Sequence, residues 1–365
     1  MMKIAGRVKD IEVSGIRKLF ESAGPGSINL GLGQPDFDTP AHIKDAAIQA
    51  IREGKTGYTN NTGIIELRDA ICQKFGRENH LFYTPDQIVI TAGASEALHL
   101  IMQALVETGD RVLFADPGFV SYAALASIAG GRPEGVPLDH ALHLDVEKVK
   151  EVMDGARLFI LNSPANPTGA VESRDNIRDI VEYAMDAGVT IVSDEVYEHF
   201  IYGKEHVSAA TFGDDVITVN AVSKTYAMTG WRLGYLAAPE EYITPCVKVH
   251  QYCQACATSI SQYASLAAYN GDQSPVAAMC REYEARRDLI YKGFKSMGID
   301  FPIPEGAFYA FVPMDQSLIS RILTKGVVIV PGSAFGTNAP DYARLSYAAP
   351  RSILNEALAR IQSAL

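Results

Sequence analysis

The chain has 365 residues, of which 47% are hydrophobic and 21% charged, a composition that allows a large core and two domains. Its 32 basic and 43 acidic residues give a net charge of −11 at pH 7, which disfavours a nucleic-acid or anionic-membrane surface. The sequence contains no apolar run of membrane-spanning length and no signal peptide, and five irregularly spaced cysteines indicate free thiols. We therefore expect a cytoplasmic protein.

Two kinds of pattern follow one another along the chain. Apolar runs that predict β-strands span 88–91, 111–115, 157–162, 189–194, 216–222 and 233–238, and helical periodicity spans 95–108, 118–129 and 175–188. This alternation is typical of an α/β domain with a mainly parallel sheet. The last part of the chain instead predicts helices over 274–298 and 352–365, with strands over 306–313, 326–332 and 342–349.

The change of pattern divides the chain into two expected domains. Residues 38–269 would form a large α/β domain, and 1–37 would pack with 270–365 as a small α+β domain. Because parallel α/β sheets bind ligands beyond the carboxyl ends of their strands, the residues directly after each predicted strand are the candidate site.

The first three strand ends carry a small-residue turn, an aromatic ring and an amide. Gly93, Ala94 and Ser95 open a helix whose free N–H groups and positive end favour a phosphate. Phe119 follows the second predicted strand, and Asn166 follows the third, in a segment that two prolines hold extended. Each feature alone is more often ordinary turn, core or loop structure.

The next two strand ends carry charged side chains. Asp194 closes the fourth predicted strand, where an ionised and unpaired carboxylate would be costly, so it needs a cationic partner. Tyr197 follows it. Lys224 comes just after the fifth predicted strand, and Arg232 lies eight residues further on.

One ligand, pyridoxal phosphate, accounts for these residues together. Its phosphate would bind the Ser95 turn and Arg232, its protonated ring nitrogen would pair with Asp194, and its aldehyde would form a Schiff base with Lys224. Its ring and phenolic oxygen would contact the three remaining residues, Phe119, Asn166 and Tyr197.

Other lysine motifs do not fit the spacing. A Walker A loop requires glycines at 218 and 223, where the chain has Thr218 and Ser223. A Ser-x-x-Lys nucleophile requires a serine at 221, where the chain has Ala221. We also expect His140 and His143 to lie in a solvated loop rather than to bind a metal.

The sequence resembles the class I/II, fold-type I, pyridoxal-phosphate aminotransferases over essentially its whole length, and is most similar to archaeal-type aromatic and aspartate aminotransferases. The segments that carry the resemblance are NLGLGQPDFDTP (29–40), GYTNNTGIIELRDAI (57–71), NSPANPTGAV (162–171), SDEVYEHFIY (193–202), SKTYAMTGWRLGY (223–235), GAFYAF (306–311), IVPGSAFG (329–336) and ARLSYA (343–348). The resemblance implies a mainly parallel seven-stranded sheet between helices, a small α+β domain from both termini, and a homodimer.

The resemblance also implies a role for each catalytic residue. Lys224 would bind the cofactor aldehyde and move the proton between the substrate α-carbon and cofactor C4′. Asp194 would keep the ring nitrogen protonated, so that the ring accepts electrons. Asn166 and Tyr197 would hydrogen-bond the ring oxygen, and Phe119 would stack on the ring.

The phosphate and the substrate have implied sites of their own. The phosphate would be bound by residues of this subunit and by one tyrosine of the other subunit: Gly93, Ala94, Ser95, Ser223, Arg232 and, from the partner copy, Tyr58. The substrate α-carboxylate would bind the guanidinium fork of Arg344, and Gly33 and Asn166 would also contact the substrate.

Two departures from the family pattern lead to expectations. Many members have a serine three residues before the lysine, where this chain has Ala221, so phosphate binding is expected to depend more on Arg232 and Ser223. The stretch over 312–325 is short, and we expect a small-domain helix to be trimmed there.

The function predicted from these features is ping-pong amino transfer from an aromatic L-amino acid or aspartate to a 2-oxo acid such as 2-oxoglutarate. A pyridoxal-phosphate C–S β-lyase is the alternative, because the same fold carries that chemistry. A non-catalytic amino-acid-sensing regulator is a third hypothesis, but it would require an added DNA-binding segment that the sequence does not indicate. No metal is expected.

Overall fold

The computed structural model describes residues 4–9, 11, 24 and 26–365. Its main sheet has seven strands: β2 (Ile88–Thr91), β3 (Arg111–Asp116), β4 (Arg132–Pro137), β5 (Leu158–Asn162), β6 (Thr190–Asp194), β7 (Val216–Ala221) and β8 (Gly234–Ala237). They lie in the order β2-β8-β7-β6-β5-β3-β4. Only the two pairings of β8 are antiparallel. The expected α/β class and mainly parallel sheet are confirmed.

Helices cover both faces of this sheet. Those in the first three quarters of the chain are α1 (Gly6–Lys9), α2 (Ala41–Arg52), α3 (Ile65–Lys74), α4 (Ala94–Leu105), α5 (Ser121–Ala129), α6 (Val146–Met153), α7 (Arg174–Ala187), α8 (Val222–Thr225), α9 (Glu240–Cys253) and α10 (Ser259–Asn270). Strands β2, β6, β7 and β8 are buried along their whole length, as expected for strands covered on both faces. Within the described residues, no helix is long and apolar enough to cross a membrane.

Strand β4 was missed by the sequence prediction. Its sequence, RPEGVP, contains two prolines and a glycine, which disfavour strand structure. It pairs only with β3, at the edge of the sheet. One side of an edge strand has no neighbouring strand, so a proline whose missing N–H would face that side removes no hydrogen bond of the sheet.

The last part of the chain is α+β, as predicted. It contains α11 (Ser274–Ser296), β9 (Tyr309–Pro313), α12 (Gln316–Thr324), β10 (Val327–Val328), β11 (Val330–Pro331), β12 (Tyr342–Ser346) and α13 (Arg351–Gln362). Strands β11, β12 and β9 form an antiparallel sheet, and β10 pairs with the early strand β1 (Ile28–Asn29). The short stretch over 312–325 was expected to have a trimmed helix, and it retains the nine-residue helix α12.

The direction of β8 brings distant segments to one edge of the sheet. Gly234, the first residue of β8, is paired with Thr91 at the end of β2 and with Ala221 at the end of β7. A Cβ at Gly234 would lie 2.6 Å from Ala94 N, so only glycine fits there. Arg232, two residues before β8, therefore lies at the same edge as the start of α4.

Candidate active site

A cavity of about 310 Å³ lies at the carboxyl edge of the main sheet. Eleven of the thirteen predicted site residues line it: Gly33, Ala94, Ser95, Phe119, Asn166, Asp194, Tyr197, Ser223, Lys224, Arg232 and Arg344. Gly93 lies next to it, against Arg232. Tyr58 is apart from the lining, with 88% of its surface exposed.

Lys224 is carried by α8, the short helix that follows β7. Its ammonium donates a hydrogen bond to Gly33 O at 2.8 Å, so the strand-end lysine meets the loop that follows β1. Burial lowers the pKa of Lys224 to about 8, and the positive charges of Arg344 and Arg232 act in the same direction. A larger fraction of Lys224 is therefore neutral near pH 7 than of an exposed lysine.

Asp194, the last residue of β6, is buried. Burial raises the pKa of its carboxyl to about 6, against the effect of a hydrogen bond that the Tyr122 hydroxyl donates to Oδ2 at 2.8 Å. The main chain of Asp194 is fixed from β5, because Asn162 Nδ2 donates to its carbonyl at 2.9 Å. The carboxylate is thus held rigidly and remains ionised at neutral pH.

The start of α4 is a tight turn that lies against Arg232. Gly93 has φ +84, and a Cβ there would lie 2.6 Å from Arg232 Nη2, so glycine lets the guanidinium lie against the turn. Arg232 Nη2 donates to Ala92 O at 3.3 Å, and the Ala92 N–H donates to the Glu96 carboxylate. The loop is therefore held at one residue, Ala92, with one side chain on its N–H and another on its carbonyl.

Arg344 on β12 is a buried residue of the cavity lining, and burial lowers its pKa. Its Nη1 donates to Asn166 Oδ1 at 2.9 Å, and its Nη2 donates to Gly31 O. Its Nε–H is buried and has no hydrogen-bond partner among the described residues. A buried guanidinium with an unmatched donor is suited to a carboxylate ligand.

Two tyrosines meet beside Lys224. Tyr197 and Tyr309 share a hydrogen bond between their hydroxyls at 2.8 Å, and their rings meet edge to face. Lys224 Nζ lies 5.7 Å from the centre of the Tyr197 ring. Burial raises the pKa of both phenols, so both are protonated and able to donate.

Tyr122, Tyr309 and Glu96 contact predicted site residues, but sequence reasoning did not single them out. Tyr122 is on α5 and Tyr309 is in a buried strand, and aromatic residues in such patterns are usually core residues. The one available signal was that Tyr309 belongs to the segment GAFYAF that carries the family resemblance.

The expectation that His143 lies in a solvated loop was wrong. His143 lies between two carboxylates, with Nδ1 3.6 Å from Glu172 and Nε2 3.3 Å from Glu305. Its side chain is 18% exposed, whereas His140 is exposed.

Comparison with known proteins decides the family. The family described as Aminotransferase class I and II matches residues 25–361. The chain belongs to this family. It is 44% identical over 373 residues to a probable aspartate aminotransferase of Methanocaldococcus jannaschii, covering 98% of this chain and 99% of that protein. It is 40% identical over 383 residues to aromatic-amino-acid aminotransferase 2 of Thermococcus litoralis, covering 100% and 98%.

Solved structures agree with this family membership. The aspartate aminotransferase of Thermus thermophilus with maleate superposes with a TM-score of 0.95 at 33% identity, and all of both chains is covered. The aromatic aminotransferase of Pyrococcus horikoshii superposes with a TM-score of 0.90 at 38% identity, covering 95% of this chain and 98% of that one. The aminotransferase described here therefore has the fold of both aspartate and aromatic relatives.

Proposed function

We propose that this aminotransferase uses pyridoxal phosphate to transfer the amino group of an aromatic L-amino acid or aspartate to a 2-oxo acid such as 2-oxoglutarate. The observation that carries the proposal is the arrangement of four charged residues in one cavity: Lys224, Asp194, Arg232 and Arg344. The names of the relatives, aspartate and aromatic aminotransferases, support these donor classes.

The residues of the cavity fit the groups of pyridoxal phosphate. The turn at Gly93 leaves backbone N–H groups and the Arg232 guanidinium side by side, a donor set suited to a phosphate. Ser95 and Ser223 also line the cavity and would add hydroxyl donors. Because position 221 is an alanine, Arg232 and Ser223 would carry more of the phosphate binding.

When bound, pyridoxal phosphate supplies an aldehyde that condenses with amines and a ring that accepts electrons from the substrate α-carbon. Lys224 would hold this aldehyde between turnovers, and would then take the proton from the α-carbon and return it at C4′. With a pKa of about 8, an appreciable fraction of its amine is neutral near pH 7, as a general base requires.

The other residues around the ring would orient it. The Asp194 carboxylate would keep the ring nitrogen protonated, and Phe119 would stack on the ring. Asn166 and Tyr197 would donate to the phenolic oxygen. The Asn166 amide is held by Arg344 Nη1 through its Oδ1, so its Nδ2 is the end left to donate.

Arg344 would bind the substrate α-carboxylate, using its unmatched Nε–H and a terminal nitrogen as a fork. Gly33 would contact the substrate through its backbone. Among the described residues that line the cavity, the cationic ones are Lys224, Arg232 and Arg344. All three have roles in this scheme, so no further cation of the described lining is left to bind a second carboxylate of the substrate. The described lining therefore suits an aromatic substrate side chain better than the side chain of aspartate.

The assembly and the domain division are part of the proposal. Exposed Tyr58 would reach the phosphate site of a second copy in a homodimer. Residues 38–269 would form the large domain, and 1–37 with 270–365 the small one, supported by the pairing of β1 with β10. Residues 1–3, 10, 12–23 and 25 of that division lie outside the described part. We also propose a cytoplasmic location.

Steady-state kinetics with two substrates tests the function. The rate of glutamate formation from 2-oxoglutarate would be measured with L-tyrosine, L-phenylalanine or L-aspartate as donor, at several fixed concentrations of each. Parallel double-reciprocal lines support ping-pong amino transfer. Release of pyruvate and ammonia from cystathionine, without glutamate formation, would favour the C–S β-lyase instead.

A further inference from the structure

Tyr309 lies at the meeting point of three parts of the site. It is on β9 and 1% exposed, and it lines the cavity. Its hydroxyl is hydrogen-bonded to that of Tyr197 at 2.8 Å. The guanidinium of Arg344 lies over its ring, 4.5 Å from the centre.

The Tyr309 hydroxyl also fills the space next to Gly33. A Cβ at Gly33 would overlap this hydroxyl. The hydroxyl can therefore occupy this position only because Gly33 has no side chain. Gly33 O accepts the hydrogen bond from Lys224. One phenol therefore contacts the loop that holds Lys224, the Tyr197 hydroxyl and the Arg344 guanidinium.

The direction of the hydrogen bond between the phenols follows from counting protons. Each phenol has one proton, and the two hydroxyls lie 2.8 Å apart, so only one of them can donate to the other. In the proposed function Tyr197 donates its proton to the phenolic oxygen of the cofactor. Its oxygen can then only accept from the neighbouring phenol, so Tyr309 is the donor.

We propose that Tyr309 is a positioning residue that donates its hydroxyl proton to Tyr197 and thereby aims the Tyr197 proton at the phenolic oxygen of the cofactor, while its ring supports Arg344. This inference rests on the proposed function. The Tyr309 hydroxyl acts through Tyr197 and does not itself touch the cofactor.

The variant Tyr309→Phe removes one oxygen and keeps the ring under Arg344. Tyr197 then becomes a weaker donor, because chains of hydrogen bonds strengthen one another. More negative charge would remain on the phenolic oxygen, so Lys224 Nζ, when joined to the aldehyde carbon, would hold its proton more tightly. The pH midpoint of the visible absorbance of the holoenzyme should move upward by roughly half a unit, and kcat should fall about 3- to 10-fold with KM little changed.

Two comparisons make the test specific. Tyr347→Phe is the matched control, because Tyr347 is also fully buried and its hydroxyl donates to Ala307 O at 3.4 Å, away from the residues that line the cavity. Its midpoint should equal that of the wild type. In a Tyr197→Phe background, Tyr309→Phe should produce no further shift.

Two results would overturn the proposal. One is an unchanged midpoint in Tyr309→Phe. The other is a midpoint shift from Tyr309→Phe that is as large in the Tyr197→Phe background as it is in the wild-type background. A wild-type protein that shows no visible band with added pyridoxal phosphate would instead contradict the proposed function. The two failures are therefore distinguishable in one set of spectra.

Discussion

The Tyr122 hydroxyl donates a hydrogen bond to Asp194 Oδ2 at 2.8 Å, in surroundings where both side chains are buried. Burial alone favours the neutral acid, and it raises the pKa of Asp194 to about 6 even though this hydrogen bond opposes it. Tyr122 therefore helps to keep Asp194 ionised at neutral pH, in the form that can pair with a protonated ring nitrogen.

Tyr122→Phe should raise the pKa of Asp194 further. If the carboxylate form binds the cofactor, the affinity of the apoenzyme for pyridoxal phosphate falls as pH drops through this pKa. The fall should begin about one pH unit higher in the variant. Fluorescence titration of the apoenzyme between pH 5 and 8 measures this, with Tyr183→Phe as control because Tyr183 makes an exposed hydrogen bond to Asp154. Identical pH dependence in all three proteins would contradict the role of Tyr122.

Arg344→Lys should impair substrate binding far more than it impairs cofactor binding. A lysine keeps the charge but loses the planar fork, so kcat/KM for amino and oxo acids should fall roughly 100-fold. Arg178→Lys, on an exposed surface pair with Asp175, should have no effect. Unchanged kcat/KM in the Arg344 variant would rule out this residue as the carboxylate site.

Glu96→Ala should loosen the turn that precedes α4. Glu96 accepts from the Ala92 N–H, and its other oxygen lies 2.9 Å from Nδ1 of the fully buried His250. Its loss leaves the buried His250 Nδ1 and the half-buried Ala92 N–H without this partner, and the buried group alone costs about 1–3 kcal/mol. We expect a lower unfolding free energy of the apoprotein and weaker cofactor binding.

The matched control for this variant is Glu147→Ala, at an exposed position of α6. Urea unfolding of the apoprotein and titration with pyridoxal phosphate are measured for both variants. Wild-type stability and affinity in Glu96→Ala would show that the turn is held by other contacts.

His143 should stabilise the fold most at lower pH. Hydrogen bonds with Glu172 and then Glu305 raise its pKa from 6.5 to about 10. Because the folded-state pKa is raised, the stabilisation is complete below about pH 6.5 and disappears as pH rises through about 10. His143→Gln should therefore be less stable than the wild type at pH 6.5 and close to it at pH 10.5, by urea unfolding. His140→Gln is the control, and a stability difference independent of pH would contradict this reasoning.

Lys224→Ala should fold normally and have no detectable turnover, because the amine that we propose to hold the aldehyde and move the proton is gone. Its thermal unfolding as apoprotein should be close to that of the wild type, since the Nζ makes one hydrogen bond, to Gly33 O. Lys44→Ala, at an exposed pair with Asp38, should retain full activity. Normal activity in Lys224→Ala would refute the assignment.

The sequence predicted the features that depend on local pattern. The apolar runs located six of the seven strands of the main sheet, and hence the edge where Lys224 and Asp194 meet, because buried strands have a distinct composition. Strand β4 was missed because its stability comes from the neighbouring β3 rather than from its own residues.

Long-range partners could not be predicted in the same way. His143 is half a chain away from Glu305, so its sequence neighbourhood says nothing about the carboxylates around it. The hydroxyls of Tyr122 and Tyr309 matter because of what they face across the sheet edge, and a hydrophobic pattern does not distinguish them from core aromatic residues. The roles of all the site residues stay predictions, including that of exposed Tyr58.

The most direct test of the central claim is the absorbance spectrum of the purified protein with pyridoxal phosphate, followed by titration with single L-amino acids. We predict a visible band that is lost on adding tyrosine, phenylalanine, aspartate or glutamate, returns on adding 2-oxoglutarate, and is shifted or missing in Lys224→Ala. A wild-type protein with no visible band, or with a band that no amino acid changes, would contradict the account.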